Sequence, residues 1–185
     1  PARVKLIVWR KEGGRYTPTD NRTHFLLTTE PYQSPPTKTD THVSICRTIT
    51  LFPHSLSPFK CCSLPYVVAG IEKKERKLDD IILLNHKGYL VECLVSNLFW
   101  KKDGIIFTPS LSTGCIDGVF RKNLLAFFRK IGQPYAEVEA PLEELFLAQS
   151  VFTTNVAGIR HVLNVDSYSY LPLPDTEEWE KMLLD

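Results

Sequence analysis

The chain has 185 residues, of which 43% are hydrophobic and 23% charged, and its formal net charge is +1. This length allows one ample core, and the balanced charge argues against nucleic acid or an anionic membrane as the main partner. The chain has no run of about 18 apolar residues, so the sequence predicts no membrane span. The five cysteines form no CxxC pair, which favours reduced thiols in the cytoplasm over disulfides or a zinc site.

The N-terminal part is predicted to be an incomplete domain. Strands are expected at residues 4–10 and 23–30, around a glycine-containing turn. Because a two-stranded ribbon is marginal alone, we interpret residues 1–41 as the end of a smaller domain with a proline-rich linker at 31–41. Residues 42–185 then form the larger domain.

The larger domain is predicted to be of the mixed α/β (α+β) class. Strands are predicted over residues 43–52, 79–85, 89–100, 105–109, 135–139, 150–155 and 158–165. Helices are predicted over residues 66–77, 119–131, 141–148 and 174–185. The strands between residues 79 and 109 are expected to form a three-stranded antiparallel meander that anchors the domain.

An acidic residue interrupts an otherwise apolar strand, LVECLVSNLFW at residues 90–100. The two-residue period places Glu92 on one face with Ser96, and Asn97 on the other. An ionised carboxylate among apolar neighbours is costly unless a cation offsets it, and the run holds no lysine or arginine. The alternative is a strand-edge glutamate that faces water.

Two further segments are suited to phosphate. The small-residue loop SLSTGCIDG at 110–118 leads into the helix that starts at Val119, where free N–H groups and the helix dipole favour an anion. Thr153, Thr154 and Asn155 place hydroxyls and an amide at a strand end. Either segment alone is as easily an ordinary turn.

Lys60 lies between Phe59 and Cys61, and an apolar setting favours the neutral, nucleophilic amine of a lysine. Cys61 and Cys62 are adjacent, and we interpret them as two small, semi-buried side chains rather than as a redox pair. The five histidines are scattered, so the sequence predicts no metal site.

Together these features match the needs of pyridoxal phosphate. Its aldehyde requires a lysine, its protonated pyridine nitrogen requires a carboxylate, and its phosphate requires backbone donors and hydroxyls. The cofactor also supplies the cation that is missing opposite Glu92.

The order of these residues resembles the class IV, fold-type IV pyridoxal-phosphate enzymes. These include branched-chain and D-amino-acid aminotransferases and 4-amino-4-deoxychorismate lyase. The likeness spans about residues 55–165 and is carried by Lys60, the strand with Glu92, TPSLSTGCIDGVFR at 108–121 and VFTTNVAGIRHV at 151–162.

The resemblance implies the C-terminal domain of that fold, a largely antiparallel sheet or barrel with helices, preceded by the end of the first domain. It implies a cytoplasmic homodimer with a small-molecule substrate. The residues that it places at the cofactor are Lys60, Glu92, Ser96, Asn97, Val119, Phe120, Thr154 and Asn155.

The resemblance also implies a role for each of these residues. Lys60 forms the Schiff base and moves the proton, and Glu92 pairs with the pyridinium. Val119 and Phe120 offer backbone N–H groups to the phosphate, whereas Asn155 and Thr154 provide a second contact on that side. Ser96 and Asn97 lie beside the cofactor.

The chain departs from the family pattern at three points. Phe120 stands where a small residue such as threonine is usual, and Ser63 stands where an asparagine is common. The first domain, which supplies an arginine to the phosphate, is not visible.

Within the family, the segment SNLFW at residues 96–100 most resembles 4-amino-4-deoxychorismate lyase, which makes 4-aminobenzoate and pyruvate for folate synthesis. A class IV aminotransferase acting on branched-chain or D-amino acids is the first alternative. A truncated, inactive cofactor-binding protein and an unrelated α+β protein are the others.

Overall fold

The N-terminal unit is a ribbon of two antiparallel strands, β1 (Ala2–Arg10) and β2 (Thr23–Pro31), as the sequence predicts. The computed structural model describes residues 2–33 and 39–184. The chain divides into two compact units, Pro1–Pro36 and Thr37–Asp185. Apolar side chains on both faces of the ribbon are exposed, including Leu6 on one face and Leu26 on the other.

The predicted linker is too long at both ends. Pro31 ends β2, and Thr39–Asp40 form a strand that pairs in parallel with His161 and Val162. This pairing draws the second half of the predicted linker into a sheet. The middle of the linker, residues 34–38, lies outside the described residues.

The second unit contains short strands and four helices. Its strands are β3 (Thr39–Asp40), β4 (Val43–Ile45), β5 (Asp80–Leu84), β6 (Leu90–Cys93), β7 (Asn97–Lys102), β8 (Ile105–Pro109), β9 (Tyr135–Val138), β10 (Ser150–Asn155), β11 (Gly158–Val162), β12 (Asn164–Val165) and β13 (Tyr168–Ser169). Its helices are α1 (Leu64–Glu75), α2 (Val119–Ile131), α3 (Leu142–Phe146) and α4 (Thr176–Leu184), with a short 3-10 helix at Leu111–Thr113. The four predicted helices are therefore confirmed, and no helix within the described ranges is long and apolar enough to cross a membrane.

These strands form two sheets around a shared core. One sheet has the order β3-β11-β10-β7-β8-β9, and the other has the order β13-β12-β4-β5-β6. Ile82 and Leu90 from the second sheet pack in one apolar cluster with Leu98, Trp100 and Val151 from the first. Within the described residues, antiparallel pairs outnumber parallel ones, and the parallel pairs are β3–β11, β4–β12, β4–β5 and β8–β9. The mixed α/β class is confirmed.

The predicted long strand at 89–100 and the meander built on it are wrong. The run bends at residues 94–96, so that β6 belongs to one sheet and β7 to the other. The Cys93 N–H donates to the Ser96 carbonyl across the bend at 2.9 Å. Two hairpins on two sheets, β5–β6 and β7–β8, replace the meander.

Two other predicted strands are shorter than expected. The strand at 43–52 ends at Ile45. The Cys46 N–H still donates to the Ile82 carbonyl of β5 at 2.8 Å, but beyond it the N–H groups of Arg47 and Thr48 donate to the Glu72 carboxylate instead of to a neighbouring strand. The strand at 158–165 divides into β11 and β12, which pair in different sheets.

Helix α2 covers one face of the six-stranded sheet. Its Leu124 and Phe128 share an apolar cluster with Phe99 of β7 and Phe152 of β10. The helix ends at Gly132, whose φ of 74° is the left-handed conformation that glycine adopts with little strain. This packing determines where the N-terminus of α2 meets the sheet.

Candidate active site

The Glu92 carboxylate is buried and accepts three hydrogen bonds. Its side chain is only 2% exposed, which rules out the alternative of a water-facing edge residue. The Tyr66 hydroxyl of α1 donates to Oε1. Asn97 Nδ2 donates to Oε2 at 3.2 Å, and the Ile116 N–H donates to the same oxygen at 3.1 Å. Three separate parts of the chain therefore converge on one acid.

Burial raises the pKa of Glu92 to about 7, even though the Tyr66 and Ile116 hydrogen bonds lower it. The positive charges of Lys60 and Arg121 also lower the pKa. Within the described ranges, no lysine or arginine forms an ion pair with Glu92. A cation placed against this carboxylate would favour its ionised form.

The bend between β6 and β7 brings Asn97 to Glu92. Strict alternation places these residues on opposite faces, but the bend reorients the chain so that the Asn97 amide also donates to the Ile116 carbonyl at 2.8 Å. A Cβ on Gly118 would lie 2.2 Å from Asn97 Oδ1. A side chain at this position would therefore have to displace either the start of α2 or the Asn97 amide, which Glu92 and Ile116 hold in place.

The N-terminus of α2 presents backbone donors without a side-chain cap. Gly118 is the residue that precedes the helix, and it has no side chain to accept from the first turn. Val119 is exposed, whereas Phe120 packs partly into the apolar cluster beneath the helix. The backbone N–H groups, rather than the side chains, are thus the groups that this end of α2 offers to an anion.

Thr154 places a buried hydroxyl near this helix end. It lies opposite Asn97 in the β10–β7 pairing and shares a face with Phe152, which packs against α2. The side chain is 1% exposed, and its Oγ1 has no hydrogen-bond partner within the described chain. A buried hydroxyl without a partner is costly, and Thr154 Oγ1 is therefore available to a polar ligand at this helix end. Thr153 Oγ1, on the opposite face of β10, is also buried without a partner within the described residues.

Asn155 and Ser96 make structural contacts in this arrangement. Asn155 accepts from the Ala157 N–H at 2.8 Å and donates to the Val95 carbonyl at 3.3 Å, so it closes the β10–β11 turn. Ser96 donates to Asp80 Oδ2 at 3.2 Å beneath the bend. Their roles at the cofactor stay predictions.

Lys60 lies in the irregular segment before α1, and the apolar setting expected for it is wrong. Lys60 is exposed, as are Phe59 and Cys61, because the segment lies over no apolar core cluster. The semi-buried setting expected for Cys61 and Cys62 is wrong for the same reason. The charge of Lys60 is nevertheless close enough to lower the pKa of Glu92.

Sequence reasoning missed Tyr66, the Ile116 N–H and Arg121. Arg121 is 2% exposed and donates to Glu137 Oε2 at 2.6 Å and to the Pro109 carbonyl at 2.9 Å. Its position in the first turn of a helix with a predicted anion site was the available signal. Tyr66 gave none, because its contact with Glu92 depends on how α1 packs.

The model of the family described as amino-transferase class IV matches residues 1–165. The chain belongs to the amino-transferase class IV family. Members of this family use pyridoxal phosphate.

Relatives in the class IV family differ in activity. A probable branched-chain-amino-acid aminotransferase of Rickettsia bellii is 30% identical over 105 residues, which are 55% of this chain and 36% of that protein. The aminodeoxychorismate lyase of Bacillus subtilis is 38% identical over 74 residues, 40% of this chain and 25% of that protein. The matched part of the chain thus spans about a third or less of these curated relatives.

Among solved structures, the 4-amino-4-deoxychorismate lyase of Pseudomonas aeruginosa superimposes with a TM-score of 0.88 at 28% identity. The match covers 97% of this chain and 69% of the other. The likeness of fold therefore extends through nearly the whole sequence, beyond the part aligned with the curated relatives.

The donor set fits the cofactor of the class IV family. Glu92 offers a buried carboxylate in need of a cation, Thr154 offers a hydroxyl without a partner, and the start of α2 offers uncapped N–H groups. Lys60 offers an exposed amine whose charge reaches Glu92. The carboxylate suits the protonated ring nitrogen of pyridoxal phosphate, the hydroxyl and N–H groups suit its phosphate, and the amine suits its aldehyde.

Proposed function

We propose that this chain is the cofactor-binding part of a lyase that converts 4-amino-4-deoxychorismate to 4-aminobenzoate and pyruvate with pyridoxal phosphate. The observation that carries the cofactor assignment is the buried, three-donor cradle around Glu92, which lies against the uncapped start of α2.

When bound, pyridoxal phosphate supplies an aldehyde and an electron-withdrawing pyridinium ring. Glu92 would hold its carboxylate against the ring nitrogen, with its orientation maintained by Tyr66 and Asn97. The Val119 and Phe120 N–H groups and the Thr154 hydroxyl would hold the phosphate. Each of these groups is positioned by backbone pairing or helix packing, so little ordering is required on binding.

Lys60 has two tasks in this proposal. Its amine is the group that would hold the cofactor by its aldehyde, until the substrate's amine takes that place. The freed Nζ is then the base that removes the proton whose loss allows the substrate ring to become aromatic as pyruvate leaves. The exposed, irregular segment around Lys60 allows the side chain to move between these positions.

Similarity to lyases supports this choice of reaction. The Bacillus subtilis lyase matches at a higher identity than the Rickettsia aminotransferase does, 38% against 30%. The fold itself does not distinguish the two reactions, because the Pseudomonas aeruginosa lyase matches with a TM-score of 0.88 and the branched-chain aminotransferase of Thermoproteus uzoniensis with 0.85.

An aminotransferase is the second candidate, because the match to the Rickettsia bellii aminotransferase is longer, 105 residues against 74. In that reaction, Lys60 would instead move a proton between the substrate's Cα and the cofactor. The same acid and phosphate contacts serve both reactions.

A coupled assay distinguishes the candidates. The chain is loaded with pyridoxal phosphate and supplied with 4-amino-4-deoxychorismate, and pyruvate is measured with lactate dehydrogenase, with Lys60→Ala as the control. Pyruvate release without an added 2-oxo acid supports the lyase. Turnover of amino acids only in the presence of 2-oxoglutarate rejects the lyase in favour of the aminotransferase. Cofactor binding without either reaction supports the inactive cofactor-binding alternative.

A further inference from the structure

The accessible thiols of the chain are concentrated at one place. Cys61 and Cys62 are exposed, whereas Cys46, Cys93 and Cys115 are buried. Burial raises the pKa of the Cys115 thiol to about 12 and that of Cys93 well above its usual value. Cys61 and Cys62 are therefore the thiols of the chain that a reagent in solution can reach.

Two positive features flank this pair. Lys60 precedes it directly, and α1 begins at Leu64 after Ser63, whose side chain makes no capping bond to the first turn. The positive end of the α1 dipole is therefore not neutralised by a cap. Both thiols lie in an exposed segment that a small disulfide in solution can reach.

We propose that Cys61 and Cys62 are a redox modification site, oxidised to a disulfide with each other by low-molecular-weight disulfides such as glutathione disulfide. This oxidation would also slow the attachment of pyridoxal phosphate to Lys60, which rests on the proposed function.

The exchange balances in two steps. The thiolate of one cysteine attacks glutathione disulfide, whose S–S bond breaks, so that a mixed disulfide forms and one glutathione leaves. The second cysteine then attacks the protein sulfur of the mixed disulfide, and the other glutathione leaves. Two protein thiols are oxidised by two electrons, one glutathione disulfide is reduced, and the two thiol protons pass to the two glutathiones.

Neighbouring residues make such a disulfide easy to reverse. Adjacent Cα atoms are about 3.8 Å apart across a trans peptide, which is below the range of about 4.4–6.8 Å in ordinary disulfides. The resulting strain makes the bond more reducible than a structural disulfide, as in labile and regulatory bridges.

Oxidation would constrain the backbone that adjoins Lys60. A disulfide between Cys61 and Cys62 closes a small ring that includes their shared peptide bond. Because Cys61 follows Lys60 directly, this ring limits the backbone conformations through which Lys60 reaches a cofactor. The reduced protein should therefore attach pyridoxal phosphate faster than the oxidised protein does.

The first measurement counts thiols in the native, folded chain. We expect a thiol reagent such as dithionitrobenzoate to react rapidly with two thiols, and with all five only in denaturant. After treatment with glutathione disulfide, the rapid pair should be lost and the intact mass should fall by two hydrogens, with dithiothreitol restoring both. A persistent glutathione adduct, or rapid thiols elsewhere in the chain, would overturn the site.

The second measurement tests the regulation. Lys60 is labelled with pyridoxal phosphate and borohydride in reduced and oxidised protein, and in a Cys61→Ser/Cys62→Ser double variant treated in the same way. We expect labelling to slow several-fold on oxidation of the wild type alone. Equal labelling of Lys60 in both wild-type states rejects the regulation but leaves the proposed function standing. Absence of labelling at Lys60 in the reduced protein rejects the proposed function but leaves the thiol site standing.

Discussion

Two opposing effects act on the charge of the Glu92 carboxylate. Burial disfavours its charge, whereas the hydrogen bonds from Tyr66 and Ile116 and the charges of Lys60 and Arg121 favour it, and the result is a pKa of about 7. A group poised in this way responds strongly to a cation placed against it. That response is the physical basis for assigning it to a pyridinium partner.

The first prediction concerns the pH dependence of stability. The folded pKa of Glu92 lies above its unfolded value of 4.5, so the folded state binds more protons than the unfolded state between these values. The free energy of unfolding therefore falls as pH rises from about 4.5 to about 7, by up to about 3 kcal/mol from this group. Glu92→Gln removes the titration, so its stability relative to the wild type should increase between about pH 5 and about pH 8.

Denaturant unfolding of both proteins at several pH values measures this difference. Asp80, whose pKa burial raises to about 6, titrates in both proteins and therefore cancels. A difference between the two proteins that does not change with pH contradicts the assignment of a raised pKa to Glu92.

The second prediction concerns the contact between Gly118 and Asn97. Gly118→Ala places a Cβ 2.2 Å from Asn97 Oδ1, so either the start of α2 or the Asn97 amide must move. We expect a lower melting temperature and weaker binding of pyridoxal phosphate, measured by thermal unfolding and by absorbance titration. Gly70→Ala is the matched control. Gly70 lies inside α1, and a Cβ there would make an ordinary contact of 3.7 Å with the Leu94 side chain. Equal behaviour of the two variants would show that the close approach at Gly118 has no importance.

A site residue can be predicted from the sequence when the pattern that marks it lies among its neighbours in the chain. Glu92 is predictable because it interrupts an apolar run, and the start of α2 because glycine and small residues precede a helical pattern. Tyr66 is not, because 26 residues separate it from Glu92 and only the packing of α1 brings them together. The exposure of Lys60 also escapes prediction, since apolar neighbours in sequence do not establish burial.

At the scale of elements, the bend at residues 94–96 determines the site. It transfers the chain from one sheet to the other, and it places Asn97 within reach of Glu92. Ser96 fastens the bend to Asp80 in the five-stranded sheet. Helix periodicity allowed α1 and α2 to be predicted, but no pattern marks the bend, because the residues on both sides of it are buried on both faces.

The third prediction concerns the hydrogen bond from Ser96 to Asp80. Ser96→Ala removes a donor from the buried Asp80 carboxylate and should cost about 1–3 kcal/mol of unfolding free energy. The loss should be larger above the Asp80 pKa of about 6 than below it, because only the ionised carboxylate needs the donor. Ser169→Ala removes an exposed hydrogen bond to Asn164 and is the control, with an expected change within about 0.5 kcal/mol. Equal losses for the two variants in chemical denaturation would contradict the role of Ser96.

At the scale of the whole molecule, the apolar cores lie in the second unit. The described core residues all fall between Val43 and Leu183, whereas both strands of the N-terminal ribbon are exposed along their length. The order of elements was largely predictable from hydrophobic periodicity. Their division between two sheets was not, because it depends on pairings between distant parts of the chain such as β4 with β12.

The fourth prediction follows from this distribution of the core. A variant that lacks residues 1–36 should retain a cooperative thermal transition by circular dichroism, with a midpoint close to that of the whole chain. It should also aggregate less, because the exposed apolar side chains of the ribbon are gone. Loss of the cooperative transition would show that the ribbon contributes to the fold of residues 37–185.

The central claim is that Lys60 and Glu92 hold opposite parts of one pyridoxal phosphate. The most direct test is borohydride reduction of the chain after incubation with the cofactor, followed by peptide mass spectrometry. We predict a phosphopyridoxyl group on Lys60, lost in Lys60→Ala and much reduced in Glu92→Gln at neutral pH. A label on other lysines that is indifferent to both substitutions would contradict the claim.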